Sequence, residues 1–576
     1  MKYLLITILS FLIVNFSYSQ IHSIIYEQNK IFSQLNYSSE LEWDSLNLKS
    51  NDIENYSTQL KSKNDLTLQK LNDSCKLNKI VFGWNPYWVG SNYNEYDFSL
   101  LSDISYFGYQ VDGTTGNYSS IHSWKTTDLV TKAKANGVRV NLCVTLFENH
   151  SLFFSNLESQ KRLIDSLISL VKLRAANGVN IDFEAVPSSQ KTQLTNFLKE
   201  LGKRFHNEIP GSQISIALPA VDWGNTFDVN SMLGYVDLFI IMGYDYHWSS
   251  SAQSGPVSPK NNGIMWSAYD VTRSINYYLN KGVPKKNLCL GLPYYGYNWN
   301  CKDSTPASNT IGKGNAEFYS TAVSKANLIG RKWDPQSSNP YYVQKINDSS
   351  YNQCWYDDEE SLGLKYDLVN MKDIGGIGIW ALSYDAGSKK LWNKLKEKFT
   401  NCGDSPCQGS ITDMGGSFGN YYDNDNFSFT IAPLNSKQLT IKFKSFNISN
   451  DEMKIFDGKD NLSKLIGVFT STNSPNIITS KSGAITIQFK SDGASNSWGW
   501  LADWECSLNT GYLDEVNSKA DILQVKLFTM QGKLISSFQT NEKDLYNKLN
   551  RLNLLKGVYL IQKISGDKFM FEKYVR

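Results

Sequence analysis

Residues 177–184 read Asn-Gly-Val-Asn-Ile-Asp-Phe-Glu, and this stretch decides the fold. Side chains alternate across a strand, so Asn180, Asp182 and Glu184 share one face while Val179, Ile181 and Phe183 share the other. A strand with an apolar outer row and a polar inner row suits the wall of a parallel barrel. The apolar row packs beneath helices, and the last inner residue reaches the C-terminal mouth, where barrel enzymes carry their chemistry. Carboxylates without partners are costly inside a barrel. Asp182 and Glu184 therefore point to a working site.

The rest of the chain extends the pattern in both directions. Apolar runs at Ile80–Trp84, Ile104–Phe107 and Val138–Thr145 precede Val179–Glu184; Ile214–Pro219, Val236–Tyr244, Leu288–Leu292 and Gly376–Trp380 follow it. Helical patterns at Thr127–Asn136, Leu157–Ala176 and Lys191–Phe205 fall between the early runs. Eight strand–helix units predict an α/β chain built on a (β/α)8 TIM barrel over residues 79–400. The stretch at about 298–362 is too long for a plain connection and predicts a small α+β insertion.

At 576 residues the chain exceeds one ordinary domain. A net charge of +2 with 19% charged residues leaves no surplus for nucleic acid or an anionic membrane as the main partner. Aromatics reach 13%, which fits either large cores or a cleft whose rings stack on sugars. Met1–Lys2, the apolar run Leu4–Val14 and small residues at Ser17 and Ser19 read as a signal peptide over 1–19. No later run of about 20 apolar residues predicts a transmembrane segment after its removal. The expected location is extracellular, secreted or attached to the cell surface. Residues 20–78 are polar and read as a spacer or pro-segment. Of eight cysteines, Cys143 and Cys289 lie in apolar runs and read as buried thiols. Cys301 with Cys354, and a pairing among Cys402, Cys407 and Cys506, are the expected bridges. No Cys/His cluster has zinc spacing.

The 177–184 stretch resembles the fourth-strand signature Asp-Gly-x-Asp-x-Asp-x-Glu of glycoside hydrolase family 18, the chitinases and related N-acetylglucosaminidases. Asn177 and Asn180 stand where the family usually has Asp. Further motifs fall in order: Met242-Gly243-Tyr244-Asp245, then Gly291-Leu292-Pro293-Tyr294-Tyr295-Gly296. Trp355-Tyr356-Asp357-Asp358 with Ser361 and Lys365 follows, and Gly376-Ile377-Gly378-Ile379-Trp380 comes last. The resemblance implies cleavage of β-1,4 bonds in N-acetylglucosamine polymers, chitin or chito-oligosaccharides, with no cofactor for catalysis. A retaining glycosidase of the usual kind needs a second carboxylate about 5 Å from the acid, and none presents itself on another strand. The family uses the substrate's own acetamido oxygen instead. Carried over, Glu184 protonates the leaving oxygen and then activates water, Asp182 orients the acetamido group and raises the pKa of Glu184, and Tyr244 donates to the acetamide. Met242, Asp245 and Asn180 line the pocket, and Trp380 forms its floor. Aromatics near strand ends, Trp84, Trp88, Phe107, Tyr109 and Trp299, are candidate subsites, with Trp84 and Trp299 preferred. Two alternatives stand beside chitin: an N-acetylglucosaminidase of peptidoglycan, toward which Asn177 and Asn180 lean, and a catalytically silent glycan-binding protein.

Residues 402–507 alternate apolar and polar side chains between Gly-Gly and Asp-Gly turns and predict a β-sandwich. Gly415-Gly416-Ser417-Phe418-Gly419-Asn420-Tyr421, Ile455-Phe456-Asp457-Gly458 and Gly499-Trp500 make it resemble a CUB domain. That resemblance implies Asp451 and Asp492 as ligands of a calcium ion, with Ser449 near the position of the usual third carboxylate. Residues 513–576, with Val525–Gly532, Leu554–Ile561 and the closing Lys573-Tyr574-Val575-Arg576, resemble the small β-sandwich sorting domain of type IX secretion. That machinery is the implied export partner.

Overall fold

The structure is a computed structural model that describes residues 75–508 apart from 267 and 403–405, the single residues Gln28 and Lys30, and parts of 523–575. The expected signal peptide and most of the polar stretch after it lie outside the described residues. No described helix is long and apolar enough to cross a membrane.

Eight parallel strands form the barrel: β1 Ile80–Pro86, β2 Asp103–Val111, β3 Arg139–Leu146, β4 Gly178–Phe183, β5 Gln213–Pro219, β6 Leu238–Met242, β7 Leu288–Pro293 and β8 Gly376–Trp380. Pairing of β8 with β1, Phe82 opposite Gly378, closes it. Each predicted run is a strand. The three predicted helices are α1 Asp128–Ala135, α2 Leu157–Leu173 and α3 Lys191–Glu208. Their sequences explain them: Asn156 caps α2 by accepting from the Glu158 and Ser159 amides, and Leu163, Ile164, Leu167, Ile168 and Val171 bury one face against the barrel. The outward row of β4 packs as the alternation requires, with Phe183 stacked on Phe197 of α3 at 5.7 Å.

The chain leaves β7 straight into a five-stranded antiparallel sheet over 295–355 with helix Tyr319–Ile329 on it, the predicted α+β insertion. Its core stacks Tyr341 on Trp355 at 4.3 Å. The bridge expected between Cys301 and Cys354 is not formed. Their strands pair, but Cys301 faces Tyr351 and Cys354 faces Asn298, so the register keeps the thiols apart. Cys407 does pair with Cys506, whereas Cys402 pairs with Cys75, a partner that sequence reading did not consider.

After the barrel come two four-stranded antiparallel sheets, the expected sandwich. This sandwich is docked on the barrel through buried polar contacts. Lys372, at the end of the helix Glu359–Lys372, pairs with Asp425 at 2.5 Å, and the Tyr422 hydroxyl donates to Asp270. Residues 508–576 form a separate unit. Its described strands make one four-stranded antiparallel sheet on which Leu545 and Leu549 pack beside Val525, Leu527 and Ile561. The expected second sheet of a sandwich is not among the described residues.

Candidate active site

The inner row of β4 has three different fates. Asn180 is fully buried and fully engaged: its Oδ1 accepts from the Trp84 indole at 2.7 Å, and its Nδ2 donates to Ser215 Oγ at 2.9 Å. It is a strut across the barrel, not the substrate ligand expected of it. Trp84 crosses the interior above Gly378, where a Cβ would stand 2.8 Å from the ring, so only glycine leaves the indole its place. Trp84, Tyr109 and Trp299 present no open face: Trp84 is tied to Asn180, Tyr109 donates to Ser166, and Trp299 donates to the Ser249 carbonyl. These three expected subsites are packing residues: Trp84 fills the barrel interior, Tyr109 packs beneath α2, and Trp299 lies in the inserted sheet.

Asp182 is next along the row and is buried, yet its Oδ1 has no hydrogen-bond partner. An unmatched carboxylate oxygen there is the feature a structural role fails to explain. Glu184 follows directly after β4 at the mouth, its amide held by the Leu146 carbonyl. Burial raises both carboxyl groups well above the ordinary range, and for Glu184 the neighbouring charges of Asp182 and then Asp245 add to the rise.

Tyr244 and Asp245, just beyond β6, complete the cluster, with Met242 partly buried at the strand's end. The Tyr244 hydroxyl is raised by burial and then by the charges of Asp182, Glu184 and Asp245, which places all four groups together. Asp245 adopts φ 60° and accepts a hydrogen bond from Tyr295. Burial lifts its carboxyl from 3.8 to about 7. Tyr295 stood in the quoted seventh-strand motif without a role; only the fold shows it holding Asp245. A second carboxylate therefore does reach the site from another strand.

Trp380 ends β8 at the same mouth, edge-on to Phe107 at 5.1 Å. Beside it, Tyr384 accepts from the Trp88 indole at 3.3 Å. Both Trp380 and Tyr384 donate to Gln28, a residue that sequence reading left in the spacer. The arrangement offers a partly buried proton donor, a carboxylate with one unpartnered oxygen, a tyrosine hydroxyl and an aromatic wall. Such a set can protonate a leaving oxygen and steady a cationic centre.

In the sandwich, Asp451 and Asp492 are neighbours. Asp451 is buried and accepts from the Tyr421 hydroxyl and from the Asp492 amide at 2.7 Å, while Ser449 turns its amide to that tyrosine. Two carboxylates already bonded to protein donors fall short of the six to eight oxygens calcium takes. Among the described residues no group of three or more His, Cys, Asp or Glu side chains converges for a metal.

The family description "Glycosyl hydrolases family 18" matches residues 31–385, and "CUB domain" matches 407–504. The chain is similar to a probable endochitinase of Caenorhabditis elegans, 28% identical over 297 residues, which is 47% of this chain and 46% of that protein. It is similar to human di-N-acetylchitobiase, 27% identical over 271 residues, or 40% of this chain and 66% of that protein. The chain thus spans between about half and two thirds of these relatives' lengths. Among solved structures, a Group IV chitinase of Ostrinia furnacalis superposes with a TM-score of 0.50 at 20% identity, covering 55% of this chain and 98% of that one. This last likeness concerns the fold.

Proposed function

The chain belongs to glycosyl hydrolase family 18, and from that premise we propose that it cleaves β-1,4 bonds of N-acetylglucosamine polymers, with the substrate's own acetamide as nucleophile. The observation that carries the reading is the buried, unpartnered Oδ1 of Asp182 one strand step before Glu184. In the first step the Glu184 proton passes to the leaving oxygen as the glycosidic bond breaks, and the acetamido oxygen bonds to C1. The Asp182 carboxylate accepts the acetamido N–H and balances the positive charge of the oxazolinium, while the Tyr244 hydroxyl donates to the acetamido oxygen. In the second step Glu184 takes a proton from water, whose oxygen attacks C1, and the ring opens with the acid restored. Asp245 is the rival nucleophile. Its carboxyl already accepts a hydrogen bond from the Tyr295 hydroxyl, which makes it a poorer nucleophile and favours the acetamide.

Hydrolysis of chito-oligosaccharides and their N-deacetylated counterparts by the full chain, with products resolved by mass, tests this. The acetylated series should be cleaved and the deacetylated series not; equal cleavage of both would transfer the nucleophile's role to Asp245. Glu184→Gln should lower the rate about 10²–10⁴-fold. Binding without turnover would support a silent lectin, and cleavage of sacculi alone would move the substrate to peptidoglycan. Export belongs to the same reading, supported by the sequence at both ends. Protein recovered from medium should begin at Gln20, and a product retaining residues 1–19 would refute it.

A further inference from the structure

The helix Val271–Asn280 buries Val271, Thr272, Ser274, Ile275 and Tyr278. Its other face carries Arg273, Asn276, Tyr277 and Asn280, spaced three and four apart so that they stand in one row. This row lines a groove of about 560 Å³ between the barrel and the sandwich, and Gly415, Gly419, Asn420 and Asn496 of the sandwich line it too. The walls are fixed to each other. The Tyr422 hydroxyl donates at 3.0 Å to Asp270, the residue that caps this helix, and the Asn261 carboxamide donates to the Met414 carbonyl. The carboxamides of Asn262, Asn276 and Asn280 have no hydrogen-bond partner among the described residues. The two charged residues of the lining are opposite in sign and engaged: Arg273 lies over the Tyr422 ring at 5.6 Å, and Asp423 accepts from Asn496 at 2.9 Å. On the sandwich loops that form the wall, Phe418 and Trp498 leave 38% and 56% of their surface exposed.

Free carboxamides both donate and accept, as sugar hydroxyl and acetamido groups require. Bare rings beside them suit the C–H face of a pyranose. A lining whose charges cancel gives an ionic ligand no advantage. We propose that this groove is a second sugar site, which holds an uncharged glycan chain bearing acetamido groups. The choice of sugar rests on the family 18 reading; the groove does not. Ligand sites occur preferentially at such junctions between domains. Because the sandwich is docked, the groove keeps a fixed position relative to the catalytic cleft. One polymer particle can then be held at two points, and the second attachment profits from the effective concentration set by the first. The gain falls on polymers, since a short soluble oligosaccharide engages one site at a time.

Calorimetric titration of the full chain with chitohexaose, in the Glu184→Gln background, counts the sites. The parent should bind two equivalents and the double variant Asn276→Ala/Asn280→Ala one, its groove weakened at least about tenfold. Asn276→Trp fills the groove from an open helix face and should give the same count. It decides the matter if the double variant shows a lowered unfolding temperature. With Glu184 intact, both variants should keep kcat and KM on chitotetraose while the fraction adsorbed to insoluble chitin falls about threefold or more. Equal stoichiometry in parent and variants would overturn the proposal, and so would unchanged adsorption. A parent that binds a single equivalent, lost in the variants, would leave the groove standing and remove the sugar site from the cleft.

Discussion

Glu184 and Asp182 hold their protons above the ordinary carboxyl range because the barrel denies them water, and the same denial costs stability. Asp245 shows this cost most plainly. Its folded carboxyl titrates near 7 against 3.8 when unfolded, so the folded state holds the proton more tightly. The group is therefore best tolerated below about pH 4, and its ionisation penalises folding progressively as pH rises through about 7. Asp245→Asn keeps an acceptor for Tyr295 and cannot ionise. It should stabilise the barrel by on the order of 2 kcal/mol at pH 8 and by almost nothing at pH 4. Urea denaturation at the two pH values checks this; an equal effect at both would refute it. Activity should fall even as stability rises, since the pocket loses a charge that helps keep Glu184 protonated. The alternation of β4 made this cluster legible in sequence. The role of Asn180 was not legible, because its partners Trp84 and Ser215 come from β1 and β5 and meet it only when the barrel closes.

The helix Glu359–Lys372 shows how one element couples a motif to the barrel. Asp358 and Ser361 cap its start reciprocally, and Asp358 also pairs with Arg331 at 2.7 Å. One residue earlier, Asp357 meets Lys365 with both side chains fully buried. Burial dominates both partners, raising the acid and lowering the base. Such a pair adds little net stability, but it is dangerous to break. Lys365→Met should cost about 3–5 kcal/mol by leaving Asp357 unpaired, and the double variant with Asp357→Leu should recover part of that. Denaturant midpoints decide, and a neutral single variant would show that Asp357 is protonated and needs no partner. Residues 355–365 resembled a family segment in sequence, but nothing there revealed that Lys365 points inward. A lysine in a helix reads as surface until its neighbours are known.

Across the molecule, the barrel and the CUB domain are joined by more than a linker. Lys372 and Asp425 are nearly inaccessible, and Asp270 both caps Val271–Asn280 and accepts from Tyr422. The domain therefore holds a fixed attitude to the barrel rather than acting as a loose spacer. Lys372→Met should weaken the docking by about 3–5 kcal/mol. Calorimetry should then resolve the CUB domain as a separate, earlier transition; a single transition at an unchanged temperature would refute the coupling. Domain order was readable from composition and turn chemistry. Docking was not, since its buried contacts join residues 53 and 152 positions apart.

What the sequence by itself determined is what repeats locally: eight apolar runs, the inward row Asn180, Asp182 and Glu184, the helices between them and the alternating strands of the sandwich. Periodicity of two or of 3.6 is imposed by backbone geometry, so it is written into neighbouring residues. What only the tertiary structure decided is which polar atoms find partners. Asn180 is satisfied and Asp182 is not, Cys402 reaches Cys75, and Gln28 meets Trp380, because each outcome joins residues that meet only after the barrel closes.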